Sequence, residues 1–264
     1  MLETSETCKT PILEGRSLTK CFRTPAGGVL RALDGAAVTL FEGEILGVVG
    51  ESGCGKSTLA RLLCGLDRPD GGEVRFSGRS LTELCELRGE AFRTYRRSVQ
   101  MVFQQPFASF DPRLTLGESA EEALLNLGVP ALERERRIAD LFERCGLSPE
   151  LARRYPSEVS GGQCQRAALA RALAPEPRVL VCDEMTSALD VITQRRVLDL
   201  VRGIARERAL AVLLITHDLA LVRAYADRVL VMDAGRTVET GPVASVIDRP
   251  QSDAARRLRE ASLD

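Results

Sequence analysis

The run GESGCGKST at residues 50–58 narrows the folds open to this chain more than any other stretch. It matches G-x-x-x-x-G-K-[ST] in full, and its flanks suit the motif. The apolar run EILGVV at 44–49 reads as a buried strand, and Leu59, Leu62, Leu63 and Leu66 recur at helical spacing after it. A strand that passes through glycines into a helix turns backbone N–H groups inward and presents a helix start, and both favour phosphate oxygens. Gly50, Glu51, Ser52, Gly53, Cys54, Gly55, Lys56, Ser57 and Thr58 are therefore candidate nucleotide-binding residues. Lys56 would neutralise the outer phosphates and Ser57 would offer a hydroxyl to magnesium. A plain glycine turn is the bland alternative, and the agreement of motif with context weighs against it.

Two more apolar runs, 178–182 and 211–216, read as buried strands, with a helix expected over 194–206 between them. That is a β-α-β pattern and predicts a parallel sheet. In open α/β sheets functional groups collect at the carboxyl ends of strands, and these two strands end in Asp183-Glu184 and His217-Asp218. Asp183 is a candidate magnesium ligand through water, and Glu184 a candidate to orient or deprotonate an attacking water. His217 is the single histidine of the chain; a lone histidine is more often a loop or core residue, but its place at this sheet edge makes it a candidate γ-phosphate contact. Gln104 closes a further expected strand at 99–103 and could reach either magnesium or the attacking water.

Between these elements, Asp70-Gly71-Gly72 reads as a turn before a half-exposed antiparallel strand at 73–76. From Leu116 the pattern becomes helical and charged, and Ile138, Leu141, Phe142 and Cys145 mark one helix face. Residues 100–165 thus look like a helical lobe inserted into an α/β core. Within it SEVSGGQCQR, residues 157–166, brings a second glycine loop at Ser160, Gly161, Gly162 and Gln163. One nucleotide does not need two such loops.

Composition removes several classes of function. At 264 residues and 44% hydrophobic content the chain can bury a substantial core, and its net charge of −1 without like-charged runs argues against a nucleic-acid binder. The longest apolar segments fall well short of the roughly 20 residues of a membrane helix. The start MLETSETCKTPILEG lacks the basic and apolar regions of a secretory signal, which predicts a cytosolic protein. Eight cysteines include no C-x-x-C pair, so neither a zinc site nor a dithiol redox motif is expected.

These motifs together resemble the ATPase subunits of ABC transporters, and the resemblance covers nearly the whole chain. The Walker A loop at 50–57, Q-loop Gln104, signature Ser160-Gly161-Gly162-Gln163, Walker B at 179–184, D-loop Ser187-Ala188-Leu189-Asp190 and switch His217 stand in the family's order. The resemblance implies a P-loop NTPase α/β core with an N-terminal antiparallel β subdomain and an inserted helical subdomain. It places the core at about 11–99 and 166–245, the helical subdomain at about 100–165 and a helical tail at about 246–264. It also implies ATP and Mg2+ as cofactors, and Glu184, His217 and Gln104 as catalytic residues. Two such ATPases would meet head to tail, the signature loop of one capping the ATP on the Walker A loop of the other, which gives the second glycine loop its use. Phe22 takes the place of the aromatic that stacks on adenine.

The stretch VQMVFQQPFASFDPR at 99–113 is similar to ATPases of dipeptide, oligopeptide and nickel importers. That implies an ATPase subunit on the cytoplasmic face of the inner membrane, peripheral to it. Its partners would be a second ATPase, usually a different chain, two transmembrane permeases and an external solute-binding protein, with no nucleic acid. The expected solute is a di- or oligopeptide, nickel or a metal chelate. Three departures remove no catalytic group: Val159 for Leu in the signature, Met185 for Pro after Glu184, and Gln105 where Asp is frequent. Cys182 is the last cysteine, so the iron-sulfur cluster of some relatives is not expected. A GTPase would need N-K-x-D, and the single Asn126 precedes Leu127. The remaining alternative is a soluble ABC-type ATPase acting on nucleic acid or ribosomes.

Overall fold

The computed structural model describes residues 10–25, 27–81, 83, 89–187 and 189–261; Ala188 of the expected D-loop lies outside them, as do Cys8 and Cys85. The chain opens with two long strands, β1 (Pro11–Arg23) and β2 (Val29–Phe41), which pair antiparallel. β4 (Gly71–Phe76) pairs antiparallel with β1, and the short β5 (Arg79–Ser80) closes this four-stranded sheet. The glycines at 71–72 were expected to form a turn ahead of the strand, but they lie within it. A break in the β1–β4 register falls here, and Gly72 has φ +79°. A Cβ on it would lie 2.3 Å from the carbonyl oxygens of Arg16 and Ser17, so a bulge that only glycine fits replaces the turn.

The second sheet has six strands in the order β10-β9-β3-β8-β7-β6. Its members are β3 (Ile45–Val49), β6 (Val99–Val102), β7 (Val179–Asp183), β8 (Ala211–Ile215), β9 (Arg228–Asp233) and β10 (Arg236–Pro242). All neighbours run parallel except the β9–β10 hairpin. Strands covered on both faces read as unbroken apolar runs, because alternate side chains enter different cores. Leu46, Val48, Val179, Val181, Leu213 and Ile215 face a core shared with the four-stranded sheet and α1 (Lys56–Leu63). Ile45, Leu180, Cys182, Val212 and Leu214 face the other core.

That second core is built by helices. α2 (Glu90–Ser98) leads into β6, and α3 (Leu116–Asn126) and α4 (Ala131–Arg144) follow. α5 (Gly161–Leu173) packs against β6, α3 and α4, and α6 (Val191–Arg208), which joins β7 to β8, buries Val197, Leu198, Val201 and Ile204 in the same core as Leu180 and Val212. The expected face of α4 is the packed one, with Ile138, Phe142 and Cys145 buried and Leu141 half-buried. A third, smaller core joins Val49 to α7 (Leu219–Tyr225), α8 (Val243–Asp248) and α9 (Asp253–Ala261). Among the described residues no helix is long and apolar enough to cross a membrane.

The start of β3 is pinned by two acids, Glu44, which is buried, and Asp227, which is exposed. Asp227 Oδ2 accepts from Ile45 N at 2.8 Å, and Glu44, 5% exposed, accepts from Phe41 N at 2.8 Å and Arg228 Nη1 at 2.9 Å. Removing the cation leaves a buried carboxylate short of a partner, which costs more than the intact pair contributes. Arg228→Met is therefore expected to lower unfolding stability by about 3 kcal/mol, whereas Arg228→Met with Glu44→Met recovers most of it, as measured by urea titration.

Candidate nucleotide site

Four parallel neighbours, β3, β8, β7 and β6, end at one edge in register: Val48 pairs with Ile215, Ile215 with Asp183, and Cys182 with Val102. The residues that follow are therefore lined up in space as glycine loop, His217, Asp183-Glu184 and Gln104, although they are scattered along the chain.

The loop after β3 is held from within and below. Gly55 caps α1 with φ +106°, and a Cβ there would lie 2.4 Å from Ala32 O. Lys56 is 6% exposed, and its Nζ donates to Gly50 O at 2.8 Å and Glu51 O at 2.9 Å, so the cation sits inside the curl of the loop. Cys54 O accepts from Gly235 N at 3.0 Å, which ties the loop to the β9–β10 turn. The glycines leave backbone N–H groups, a helix start and a buried cation converging on one concavity, an arrangement that fits phosphate oxygens.

Ser57 Oγ donates to Asp183 Oδ1 at 3.2 Å. A hydroxyl and a carboxylate side by side are a hard oxygen pair of the kind magnesium accepts, so these residues fit that ion. Burial pushes the Asp183 carboxyl above its ordinary range; the Ser57 hydrogen bond opposes this, Glu184 adds to it and Lys56 opposes it. A carboxylate held in this way is relieved by a bound cation.

Glu184 stands beside it with φ +46°, left-handed for a residue with a side chain. Such backbone costs about 1–3 kcal/mol unless neighbours enforce it, and it concentrates at functional sites. Here Glu184 N donates to Ile215 O at 3.0 Å, while its own carbonyl accepts from Ser187 N at 3.2 Å and Ser187 Oγ at 3.0 Å. The twist delivers the carboxylate to Gln104, whose Nε2 donates to Oε2 at 2.6 Å, and brings His217 Nδ1 to 3.7 Å from Oε1. His217 itself is largely exposed.

The second glycine loop sits elsewhere. Ser160 caps α5: its Oγ accepts from Gln163 N at 3.2 Å and its N donates to Gln163 Oε1 at 2.9 Å. α1 packs on β1, β2 and β7, whereas α5 packs on β6, α3 and α4, so the two loops belong to different packing layers. Gly162 lies close to Leu189, a Cβ on it coming within 3.1 Å of Cδ2. Asp190 caps α6, accepting from Ile192 N at 3.1 Å and Thr193 N at 3.0 Å. Phe22 is 39% exposed at the end of β1, with Lys20 Nζ 5.6 Å from its ring centre. Sequence reasoning gave Asp218 no role of its own, but it caps α7 behind His217 by accepting from Ala220 N at 2.8 Å. An Asp immediately before an apolar helical run is the signal that would have found it.

With this geometry in hand, the comparisons with known proteins decide the family. The model of the ABC transporter family matches residues 33–187, which hold the loop, Gln104, the Ser160 loop and Asp183-Glu184. This chain belongs to the ABC transporter family. The oligopeptide transport ATP-binding protein OppF of Escherichia coli (strain K12) is 45% identical over 235 residues, 88% of this chain and 69% of OppF. The methionine import ATP-binding protein MetN of Caulobacter vibrioides is 46% identical over 243 residues, 92% of this chain and 71% of MetN. Among solved structures, the dimeric ATP-binding cassette MJ0796 in a post-hydrolysis state with ADP and Pi superposes with TM-score 0.79 at 28% identity, over 88% of this chain and 98% of that one. The chain is an ABC-type ATPase cassette, and the importer ATP-binding subunits are its relatives.

In this ABC cassette burial raises the Asp183 carboxyl above its ordinary range. Folding favours its protonated form, so the ionised form carries a penalty above the folded-state pKa that vanishes below the ordinary carboxyl range. Without nucleotide, Asp183→Asn should unfold at a higher temperature than the wild type at neutral pH, and the gap should close on acidification. Magnesium-dependent stabilisation by ATP should be lost in the same variant, both by thermal melts.

Proposed function

We propose that this chain is the ATP-hydrolysing subunit of an importer for short peptides, with nickel or a metal chelate as the runner-up cargo, working as a pair of cassettes on the cytoplasmic face of the inner membrane. The observation that carries the catalytic half is the Glu184 carboxylate, forced out by a left-handed backbone and held by Gln104 beside the Ser57–Asp183 pair. Bound magnesium ATP supplies the phosphoryl group and the cation that screens its charge. Lys56 and the loop amides would hold phosphate oxygens, Ser57 and, through water, Asp183 would hold the cation, and Glu184 would take the proton of the attacking water. Gln104 and His217 orient Glu184 and the outer phosphate.

The Ser160-Gly161-Gly162 loop lies in the layer away from the chain's own phosphate loop, which supports its service to a second cassette, most simply a different chain. A groove of about 670 Å³ between α2, β6, α3 and α5 is lined by Arg93, Arg96, Gln100, Ser119 and Arg171, and by Phe103, the neighbour of Gln104. Two permease subunits, with an external solute-binding protein beyond them, would contact the cassette at this groove and feel the state of Gln104. The peptide reading rests on OppF and on the 99–113 stretch; MetN matches equally well, as expected if an ATPase does not itself touch the solute. The relatives reported are transport proteins, which leaves action on nucleic acid or ribosomes without support.

Glu184→Gln is expected to bind ATP normally and to hydrolyse it at least about 100-fold more slowly in the assembled complex. Near-normal turnover would remove Glu184 from this role. Mild purification from membranes with mass spectrometry should recover two polytopic permeases and a second ATPase. Peptide-, nickel- and methionine-stimulated ATPase activity of that assembly then names the cargo, and recovery with DNA or ribosomes instead would sink the transport reading.

A further inference from the structure

The phosphate loop is gripped from outside by a segment that no motif of the site includes. After β10 the chain crosses α8 and returns as α9, and its entry is fastened by one acid: Glu239 accepts from Gln251 N at 3.1 Å, Ser252 N at 2.8 Å and Ser252 Oγ at 2.7 Å. α9 then lays Ala254, Ala255 and Leu258 against the core that contains Val49, the last residue of β3 before the loop. From the same helix Arg257 reaches two carboxylates: its Nε donates to Glu51 Oε1 and its Nη2 to Asp233 Oδ2, each at 3.1 Å.

Glu51 is an awkward residue to carry in such a loop. Its backbone carbonyl accepts from Lys56 Nζ at 2.9 Å, so its side chain departs from the wall of the proposed phosphate cradle. A carboxylate there repels a polyanion, and Asp233 lies within reach of the same guanidinium. Arg257 offsets both charges and draws the Glu51 carboxylate outward toward α9.

We propose that Arg257 is a positioning residue for the nucleotide site, holding and neutralising Glu51 so that the loop accepts the triphosphate. The inference rests on the nucleotide reading of residues 50–58. Because Arg257, Glu51 and Asp233 are 50%, 60% and 36% exposed, the effect is modest and screened by salt. It is larger for ATP than for ADP, which carries less charge.

The test is calorimetric titration of the full chain with Mg-ATP and with Mg-ADP, at about 0.01 M and about 1 M salt, where charges are felt over about 30 Å and about 3 Å. Arg257→Ala should weaken ATP binding about three- to fivefold at low salt, less for ADP, and the gap should close at high salt. Arg257→Lys should keep most of the affinity, and Arg257→Ala with Glu51→Gln should bind ATP at least as tightly as wild type. A wild-type affinity in Arg257→Ala at low salt would overturn the inference. So would a loss indifferent to salt and unrelieved by Glu51→Gln, since that is the mark of lost packing alone. If the wild-type chain binds no ATP, the nucleotide reading itself fails, a result distinguishable from either.

Discussion

Everything at the site depends on the register of four parallel strands. A parallel sheet aligns chain ends that are distant in sequence, and the pairing of Val48, Ile215 and Asp183 across β3, β8 and β7 sets the loop, the histidine and the acidic pair on one edge. A slip of one residue would exchange the two faces of a strand, driving Leu180 and Cys182 toward the core that holds Val179 and Val181. Both faces are apolar, so the cost of a slip lies in shape and in the ladder rather than in polarity. Glu44, which is buried, and Asp227, at the surface, grip the start of β3 and supply the polar register mark that an apolar strand lacks.

Rigidity at that edge is spent on two unfavourable arrangements. One is the Asp183 carboxylate, kept from water and next to Glu184; the other is the left-handed backbone of Glu184. Each would relax if its surroundings were soft: the carboxylate by taking a proton, the backbone by flipping. The hydrogen bond of Glu184 N to Ile215 O and the Ser187 contacts prevent the flip, and the sheet beneath prevents solvent from reaching Asp183. The protein thus keeps two carboxylates adjacent at an edge where a cation and a polarised water would be welcome, a use of strain that a loose surface loop could not sustain.

What the sequence made legible follows from locality. The loop at 50–58, the buried strands 45–49, 179–183 and 211–215, and the packed face of α4 are written in contiguous runs or in helical spacing, and all stand where expected. The long β1 and β2 strands and the β9–β10 hairpin were not read, because their side chains meet different neighbours along their length and register breaks interrupt the alternation of β1 and β2. The 71–72 glycines read as a turn for a similar reason: a bulge and a turn ask for the same residues, and the carbonyls of Arg16 and Ser17 that decide between them lie more than 50 residues upstream. Arg257 was illegible altogether, since nothing in DAARRLREA distinguishes a surface arginine from one that meets Glu51.

The two glycine loops show how packing limits what one chain can complete. Ser160, Gly161 and Gly162 present a capped helix start, and Gly162 lies close to Leu189 of the D-loop, yet α5 is anchored on β6, α3 and α4 rather than on the layer of α1. Moving that helix start onto the chain's own phosphates would break the core of Phe142, Leu124, Ala168 and Leu180 that α5 shares with the sheet. On the proposed reading a second copy of the cassette, or a relative of it, supplies the missing half without any such cost, because a docking surface needs only exposed residues in the right order. On that reading the folded chain would sense its partner through residues that also serve its own chemistry. Ser187 holds the Glu184 backbone within the segment that leads to Leu189 and Asp190, so an event at the junction of two cassettes has a short covalent path to the carboxylate that would take the proton.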